Sequence, residues 1–259
     1  MRVVFVKAGG SFITCKDKPV KVNSRALSAL VEIIHEVKEN IPLILGNGGG
    51  SFAHYAVLKY RNSSPLDLLA KCHQATRSLN RILVDYLVES EVRATSIQPS
   101  SIIYMSRGGL EVYTKPIEVL LKNKIIPVVY GECVLSEIGV VVLSTEKIFE
   151  LLAEHIRPSR IVLLTDVSGI FTCNPKTCST AELISKITPE NLSSVLEVLK
   201  KTSAIDATGG VYGKVLSMST FSFKTGIEVI ITSGFDVESA ILAIRGRFPT
   251  RATIISPAT

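Results

Sequence analysis

Hydrophobic residues in this chain form two alternating patterns, short continuous apolar runs and stripes at helical spacing. The run at residues 3–6 is of the first kind and predicts a buried strand. Residues 23–39 show the second pattern, with Asn23 or Ser24 available to cap the helix. The predicted strands are residues 2–7, 42–46, 101–105, 125–130, 139–143, 160–165, 227–232 and 252–255. The predicted helices are residues 23–39, 52–61, 66–90, 114–123, 145–156, 189–200, 212–223 and 237–244.

This alternation predicts an α/β protein, a three-layer αβα sandwich with an open, mostly parallel central sheet. Ligands of such sheets bind beyond the carboxyl ends of the strands. Lys7, the segment 46–50 and Asp166 each follow the end of a predicted strand. We therefore expect these distant segments to meet at one edge of the sheet.

Three glycine-rich turns lie beside predicted strands or helices, and each has a cation nearby. They are Lys7-Ala8-Gly9-Gly10-Ser11 with Lys16 further on, Asn47-Gly48-Gly49-Gly50-Ser51-Phe52-Ala53-His54, and Asp206-Ala207-Thr208-Gly209-Gly210 with Lys214. Glycine leaves its backbone N–H open to an anion, and a following helix adds partial positive charge. An isolated glycine triplet is commonly a flexible surface turn, and an isolated lysine is commonly a solvated surface residue. Three such arrangements in one chain favour a site for phosphate groups.

Composition narrows the class of partner. The 259 residues can bury a large core as one domain or as two tightly joined lobes, and the formal charge of +6 suits an anionic ligand. Its basic residues are scattered and aromatic residues make up only 6%, which argues against nucleic-acid binding. The chain has no apolar run of the roughly 20 residues that span a bilayer, and it enters a predicted strand without a signal peptide. We expect a small-molecule partner, and neither nucleic acid nor membrane.

The five cysteines include no Cys-x-x-Cys pair, and no histidine cluster accompanies them. This pattern argues against a disulfide framework and against a zinc site. We expect all five to be reduced thiols in a cytoplasmic protein, including Cys173 and Cys178.

Several common phosphate-binding signatures are absent. The P-loop pattern is missing, no Gly-x-Gly-x-x-Gly follows the first strand, and the catalytic loop of protein kinases is not found. The order and spacing of the motifs that are present resemble the amino acid kinase superfamily, and within it the isopentenyl phosphate kinases. The resemblance runs nearly end to end through Lys7-x-Gly-Gly-Ser, Gly-Gly-Gly-Ser-Phe-x-His54, Ser96-Ile97-Gln98-Pro99-Ser100, Pro127-Val128-Val129-Tyr130-Gly131, Thr165-Asp166-Val167-x-Gly169 and Asp206-x-Thr-Gly-Gly-x-x-x-Lys214. The motif that ends at His54 occurs in the narrowest range of families, since it is shared with isopentenyl phosphate and fosfomycin kinases.

The resemblance implies ATP-dependent transfer of phosphate to isopentenyl phosphate by a homodimer. It implies one domain, residues 1–259, in which residues up to about 145 hold the acceptor and residues 146–259 hold ATP. Mg²⁺ is expected on ATP oxygens, without a protein metal site. The implied catalytic residues are Lys7, Lys16, Lys214 and Glu146. The implied acceptor-binding residues are Gly49, His54 and Thr145. The implied ATP-binding residues are Lys7, Ala8, Gly9, Gly10, Ser11, Gly50, Asp166, Phe171, Gly210 and Lys214.

Such transfer between two anions needs positive charge and positioning more than covalent chemistry. By resemblance, Lys7 and Lys214 hold ATP phosphates, Lys16 stabilises the group in transfer, and His54 donates to the acceptor phosphate. Lys18 is the alternative candidate for the role assigned to Lys16. The nine-residue spacing from Lys7 favours Lys16. The backbone N–H groups of Gly9, Gly10, Gly50 and Gly210 are expected to face ATP, and that of Gly49 the acceptor.

The chain departs from the family pattern at Asn47, where His is usual, at Glu132, where Asp is usual, and at Thr145-Glu146, where Gly-Asp is usual. In the superfamily that last acid orients the catalytic lysines, and Glu146 is one methylene longer. If position 145 needs a positive φ, threonine costs about 1–2 kcal/mol there. If it does not, Thr145 offers its N–H and hydroxyl to a phosphate.

Three readings of function remain open on the sequence. The first is an isopentenyl phosphate kinase with an apolar pocket for the five-carbon tail, walled by the helix near Leu66, Leu69 and Ala70 and the strand near Val140 and Val142. The second is a kinase for another small phosphate or phosphonate, such as fosfomycin. The third is a catalytically weak ligand-binding relative, suggested by the changes at Asn47, Thr145 and Glu146.

Overall fold

A computed structural model describes residues 3–15, 18, 20–60, 62–106, 108–136, 139–202 and 210–257. The helices are α1 (Gly10–Ile13), α2 (Ser24–Val37), α3 (Gly50–Tyr60), α4 (Pro65–Glu89), α5 (Pro99–Ile102), α6 (Lys115–Lys122), α7 (Thr145–Ile156), α8 (Leu192–Thr202), α9 (Gly210–Thr225) and α10 (Val237–Arg245). The strands are β1 (Val4–Ala8), β2 (Leu43–Asn47), β3 (Ala94–Ser96), β4 (Ile103–Ser106), β5 (Gly109–Val112), β6 (Ile126–Tyr130), β7 (Glu132–Ser136), β8 (Gly139–Leu143), β9 (Arg160–Thr165), β10 (Ile170–Phe171), β11 (Leu183–Ile184), β12 (Lys186–Ile187), β13 (Glu228–Ser233) and β14 (Ala252–Ile255).

The central sheet contains eight strands in the order β12-β14-β13-β9-β1-β2-β6-β3. Only the pair of β13 and β14 is antiparallel, and the other neighbours run parallel. In the middle of the sheet, Lys7 of β1 pairs with Gly46 of β2 on one side and with Leu163 of β9 on the other. The prediction of an open, mostly parallel sheet is confirmed.

Apolar residues pack on both faces of this sheet. Val4 and Val6 of β1 belong to a core with α2, α4 and α10, whereas Val3 and Phe5 belong to a second core with α6, α7, α8 and α9. Successive side chains of a strand point to opposite faces, so a run without polar residues fits a strand covered on both sides. The two cores make the three-layer αβα sandwich that the sequence predicted.

Local capping explains where several helices begin. Asn23 accepts a hydrogen bond from the Ala26 N–H at 3.3 Å and caps α2, as the sequence predicted. Ser64 caps α4 and Ser144 caps α7, each by accepting from the backbone N–H three residues on. Among the described residues, no helix is both long and apolar enough to cross a membrane.

A smaller sheet follows the order β5-β4-β7-β8, and β10 pairs with β11 as a separate hairpin. The strand predicted at 101–105 is correct only from Ile103 onward, because Pro99 begins the short helix α5. The helix predicted at 189–200 begins three residues later, at Leu192. The short strands β3, β5 and β7 were not predicted.

The prediction that all five cysteines are reduced is wrong for two of them. Cys173 and Cys178, between β10 and β11, form a disulfide, whereas Cys15, Cys72 and Cys133 are free thiols. The intervening turn brings the two Cα atoms to 6.2 Å, and the Cys178 N–H donates to the Asn174 carbonyl. This closure depends on a local turn that cysteine spacing does not reveal.

Candidate active site

The first and second glycine turns pack directly against each other. A methyl group at Gly10 would lie 2.5 Å from both Cα and N of Gly50, and one at Gly48 would lie 2.7 Å from the Gly10 nitrogen. Gly50 also has a φ of +50°, in the left-handed region that favours glycine. The Gly48 N–H donates to the Ala8 carbonyl at 3.0 Å, joining the ends of β1 and β2. The two turns therefore form one continuous surface of bare backbone.

Lys7 runs beside this surface and pairs with a buried acid. Its Nζ lies 2.5 Å from Oε2 of Glu146, and each side chain is only 10% exposed. Lys7 comes from the end of β1 and Glu146 from the first turn of α7. The longer side chain of glutamate therefore still reaches the lysine, despite the departure from the family's Asp.

The charges around this pair include a third residue, Lys214. Burial lowers the pKa of Lys7; attraction to Glu146 opposes this effect, and repulsion by Lys214 adds to it. Burial acts to raise the pKa of Glu146, but attraction to Lys7 and Lys214 outweighs it and lowers that pKa to about 2. Glu146 is therefore a carboxylate near neutral pH. The structure brings Lys7, Glu146 and Lys214 together from three separate elements.

The third glycine turn enters the described structure at Gly210, the first residue of α9. Gly210 has a φ of +59°, and Lys214 lies one turn further along the helix, half-buried. Residues 203–209 and the predicted catalytic Lys16 lie outside the described residues. The role of Lys16 stays a prediction.

Gly49 and His54, the residues predicted to bind the acceptor, lie in the second glycine turn and in the helix that follows it. Gly49 immediately precedes α3, and no described residue accepts a hydrogen bond from its N–H. His54 is exposed one turn into α3 and pairs with no described side chain. Both groups are open to a ligand. His35 and His73 instead form hydrogen bonds with backbone carbonyls, those of Ser90 and Cys133.

Of the two donors predicted at Thr145, the hydroxyl is used within the fold, whereas the role of the N–H stays a prediction. Thr145 is buried, its hydroxyl donates to the Asn47 carbonyl at 2.7 Å, and it is not among the described residues with a positive φ. The threonine is unstrained, but its hydroxyl binds the fold and is not offered to a phosphate. A methyl group at Gly46 would lie 2.6 Å from Cγ2 of Thr145, so Gly46 makes room for it.

Gly9 also differs in detail from its prediction as an N–H donor to ATP. Its N–H donates to the Leu164 carbonyl of β9 at 2.8 Å, so this group is used within the sheet edge. Its neighbours Ala8, Gly10 and Ser11 lie at the same turn. Asp166 directly follows β9, and its Oδ2 lies 2.5 Å from Nζ of Lys176. Phe171 is half-buried in β10.

Two polar clusters beneath the glycine turns were missed at the sequence level. In the first, the Asn80 amide donates to Oδ1 of Asn47 at 2.8 Å, and the Ser96 hydroxyl donates to Oδ1 of Asn80 at 2.5 Å. Both asparagines are 1% exposed. A polar residue between the apolar positions Leu79 and Leu83 of a predicted helix was the available signal.

The second cluster surrounds Glu132, another departure from the family pattern. Its fully buried carboxylate accepts from Nε of Arg77 at 2.8 Å and from the Ser100 N–H at 2.9 Å. The Ser100 hydroxyl in turn accepts from the side-chain amide of Gln98 at 3.1 Å. Glu132 thus holds the Gln98-Pro99-Ser100 segment in position.

A family model, curated relatives and a solved structure that are similar to this chain all indicate the same family. The amino acid kinase family model matches residues 2–233. The curated isopentenyl phosphate kinase of Methanothermobacter thermautotrophicus is 30% identical over 264 aligned positions, covering 94% of this chain and 97% of that protein. That of Methanocaldococcus jannaschii is 28% identical over 229 positions, covering 82% and 85%. A solved isopentenyl phosphate kinase structure superposes with a TM-score of 0.76 at 23% identity, covering 97% of this chain and all of that one.

Proposed function

The chain belongs to the amino acid kinase family and, within it, to the isopentenyl phosphate kinases, and we propose that the centre formed by Lys7, Glu146 and Lys214 is where it transfers phosphate. The enzyme transfers the γ-phosphoryl group of ATP to isopentenyl phosphate and releases isopentenyl diphosphate and ADP. An acceptor oxygen forms the new bond to the γ-phosphorus as the bond to the bridging oxygen of ADP breaks. The acceptor is already an anion, so this transfer needs no general base.

One observation carries the proposal: Lys7 pairs with a buried carboxylate, and Lys214 acts on the charges of both, beside two interlocked glycine turns. Two negatively charged reactants repel each other, and preorganised cations with open N–H groups offset that repulsion in the transition state. Glu146 contributes by fixing Lys7, since the ion pair holds the ammonium group in one position. We call Glu146 a positioning residue on this ground.

The proposed division of labour follows the sheet edge. ATP phosphates contact Lys7, Lys214 and the turn residues Ala8, Gly10, Ser11, Gly50 and Gly210, and the nucleoside lies near Asp166 and Phe171. Gly9 supports the same turn through its bond to Leu164. Gly49 and His54 bind the acceptor phosphate, and Lys16 stabilises the transferred group. Residues up to about 145 form the acceptor lobe of a single domain and the remainder the nucleotide lobe.

The proposed metal is Mg²⁺, which when bound neutralises charge on the triphosphate. Among the described residues, no group of three or more His, Cys, Asp or Glu is arranged to hold a metal ion. Glu146, the acid at the centre, is engaged by Lys7. We propose that the ion is carried on ATP oxygens and not in a protein cage.

The proposed tail pocket lies between the smaller sheet and the start of α4. Cys133 pairs with Val142 and Leu135 with Val140, so these side chains share one face of β7 and β8. Leu135 and Val142 are 55% and 65% exposed, and this apolar face is where a five-carbon tail would be removed from water. Leu66, Leu69 and Ala70 of α4 are the proposed opposite wall, and Leu66 is 61% exposed. The free thiols of Cys72 in α4 and Cys133 in β7 are hydrogen-bonded to each other, so helix and sheet are in contact here.

A homodimer and a cytoplasmic location are further proposals. Both rest on the resemblance and the composition, and light scattering of the purified protein tests the first. A mass equal to two chains is expected, and a mass of one chain would overturn the dimer.

A substrate panel tests the function directly. Purified protein is mixed with Mg·ATP and, separately, isopentenyl phosphate, fosfomycin, UMP or N-acetylglutamate, and ADP release is measured. We expect release with isopentenyl phosphate alone. Release with fosfomycin only would favour a kinase for a different acceptor, and no release with any compound would support a non-catalytic binding protein.

A further inference from the structure

A line of hydrogen-bonded polar groups leads from exposed Ser96, at the edge of the central sheet, through two buried asparagines to the second glycine turn. Ser96 of β3 donates to Asn80 of α4 at 2.5 Å, and Asn80 donates to Oδ1 of Asn47 at 2.8 Å. Nδ2 of Asn47 then donates to the Gly48 carbonyl at 3.3 Å. Asn47 is the last residue of β2, and Gly48 is the first residue of the turn.

The direction of this line is set by its last member. A backbone carbonyl can only accept, so the amide nitrogen of Asn47 must face Gly48 and its oxygen must face Asn80. Asn80 must then present its own nitrogen to Asn47 and its oxygen to Ser96, whose hydroxyl donates. Each bond fixes the orientation of the next amide, and bonds that run in one direction polarise one another.

The orientation of the Asn47 side chain affects the site through the peptide unit that joins Gly48 and Gly49. The Gly48 carbonyl and the Gly49 N–H belong to the same rigid peptide unit and point in opposite directions. Holding the carbonyl toward Asn47 therefore turns the Gly49 N–H away from the core. No described residue accepts from that N–H.

We propose that Ser96, Asn80 and Asn47 form a hydrogen-bond relay that aims and polarises the Gly49 N–H toward the acceptor phosphate. This inference rests on the proposed function, since it deepens the role of Gly49 in acceptor binding. Ser96, Asn80 and Asn47 are positioning residues, because they act on the acceptor only through the turn.

The hydrogen bonds to the backbone of Asn47 support this assignment. Its carbonyl accepts from the Thr145 hydroxyl at 2.7 Å and from the Gly131 N–H at 3.3 Å. The residue ahead of the turn is thus held on its backbone from α7 and on its side chain from α4. Burying two side-chain amides costs free energy unless every polar group is hydrogen-bonded, whereas two apolar side chains would need no such partners.

The first experiment measures steady-state kinetics with isopentenyl phosphate and Mg·ATP. Asn80→Leu, which keeps similar bulk but cannot hydrogen-bond, should raise the acceptor KM about tenfold and leave the ATP KM unchanged, on the scale of losing one to two hydrogen bonds. Ser96→Ala, at an exposed position that tolerates substitution, should raise the acceptor KM about threefold. Ser96→Thr keeps the hydroxyl, so its acceptor KM should be close to that of the wild type. Ser78→Ala is the matched control, because among the described residues the hydroxyl of this exposed serine of α4 donates only to the carbonyl of Gln74.

A double variant separates a relay from two unrelated defects. If Ser96 acts through Asn80, Ser96→Ala should add nothing to the acceptor KM of Asn80→Leu. Additive effects, equal rises in the KM values of acceptor and ATP, or unchanged acceptor KM in both single variants would each overturn the relay.

The second experiment needs no activity and so separates failure of the relay from failure of the proposed function. In ¹⁵N-labelled protein without substrate, Ser96→Ala and Asn80→Leu should move the Gly49 amide proton upfield, because a less polarised N–H is less deshielded. The Gly226 amide, which donates to Ser222 in another part of the chain, should not move. A stationary Gly49 signal would overturn the relay even in an active kinase, and a moving one would support it even if no acceptor is phosphorylated.

Discussion

Glu146 shows how one side chain sets the electrostatics of the centre. Its carboxylate is buried and paired with Lys7, and attraction to Lys7 and Lys214 lowers its pKa to about 2 despite burial. Without this anion, Lys7 would be a buried cation next to another lysine. Breaking a buried ion pair by removing one partner leaves such an uncompensated charge.

Replacing Glu146 by Gln should lower the free energy of unfolding by about 3–5 kcal/mol and reduce turnover. A carboxylate whose pKa falls from 4.5 to about 2 on folding stabilises the protein above pH 4.5 and loses that contribution as pH drops toward 2. The wild type should therefore lose stability faster than the variant across this range in denaturant titrations. The control is Glu154→Gln, at an exposed position of the same helix. Equal pH slopes in Glu146→Gln and the wild type would contradict the assignment.

The elements meet at the site through their ends. β1, β2 and β9 are parallel neighbours, so the turns that follow them open at one edge of the sheet. At that edge the two glycine turns interlock, with Gly10 against Gly50 and Gly48 against Gly10. Both turns depend on the absence of a side chain at the point of contact.

Replacing Gly10 by Ala should separate these turns. The added methyl group would lie 2.5 Å from the Gly50 backbone, and a shift of about 1 Å in reacting groups can cost about a hundredfold in rate. We expect kcat/KM to fall by about that factor while the protein remains folded by circular dichroism. Gly108→Ala, where a methyl group would meet only the Ser106 hydroxyl at 3.4 Å, is the control. Near-normal activity in Gly10→Ala would show that the turns tolerate separation.

Most long elements were predictable because their periodicity is local. The helix at 145–156 and the strand at 139–143 have the predicted bounds. The short strands β3 and β7 were missed because a few residues carry too little pattern, and their strand form depends on pairing with β6 and β8. The disulfide of Cys173 and Cys178 was missed for a similar reason, since it depends on how one turn folds.

In the whole molecule, the residues proposed for the acceptor and those proposed for ATP come from different parts of the chain. Gly49 and His54 come from the first half, and Lys214 and Asp166 come from the second. Lys7 and Glu146 join these halves through their ion pair. Acceptor and nucleotide affinities should therefore respond to different substitutions.

Replacing His54 by Ala should raise the acceptor KM by about tenfold, on the scale of a charge-assisted hydrogen bond, and leave the ATP KM within about twofold. The reason is that His54 lies beside the second glycine turn, in the lobe proposed for the acceptor. His155→Ala, at an exposed position of α7, should change neither constant. Parallel increases in both constants for His54→Ala would contradict the two-lobe division.

The pattern and motifs of the chain were enough to predict the layered α/β fold and the family, because periodicity and motif order are carried by short stretches of residues. The resemblance to that family then implied a common role for Lys7, Lys16, Glu146 and Lys214. Tertiary structure alone decided that the Thr145 hydroxyl binds Asn47, that the Gly9 N–H binds Leu164, and that Ser96 and Asn80 stand behind the second glycine turn. Each of these contacts joins groups far apart along the chain. Their partners are set by how the layers pack, and hydrogen bonding depends on distance and direction that no local pattern contains.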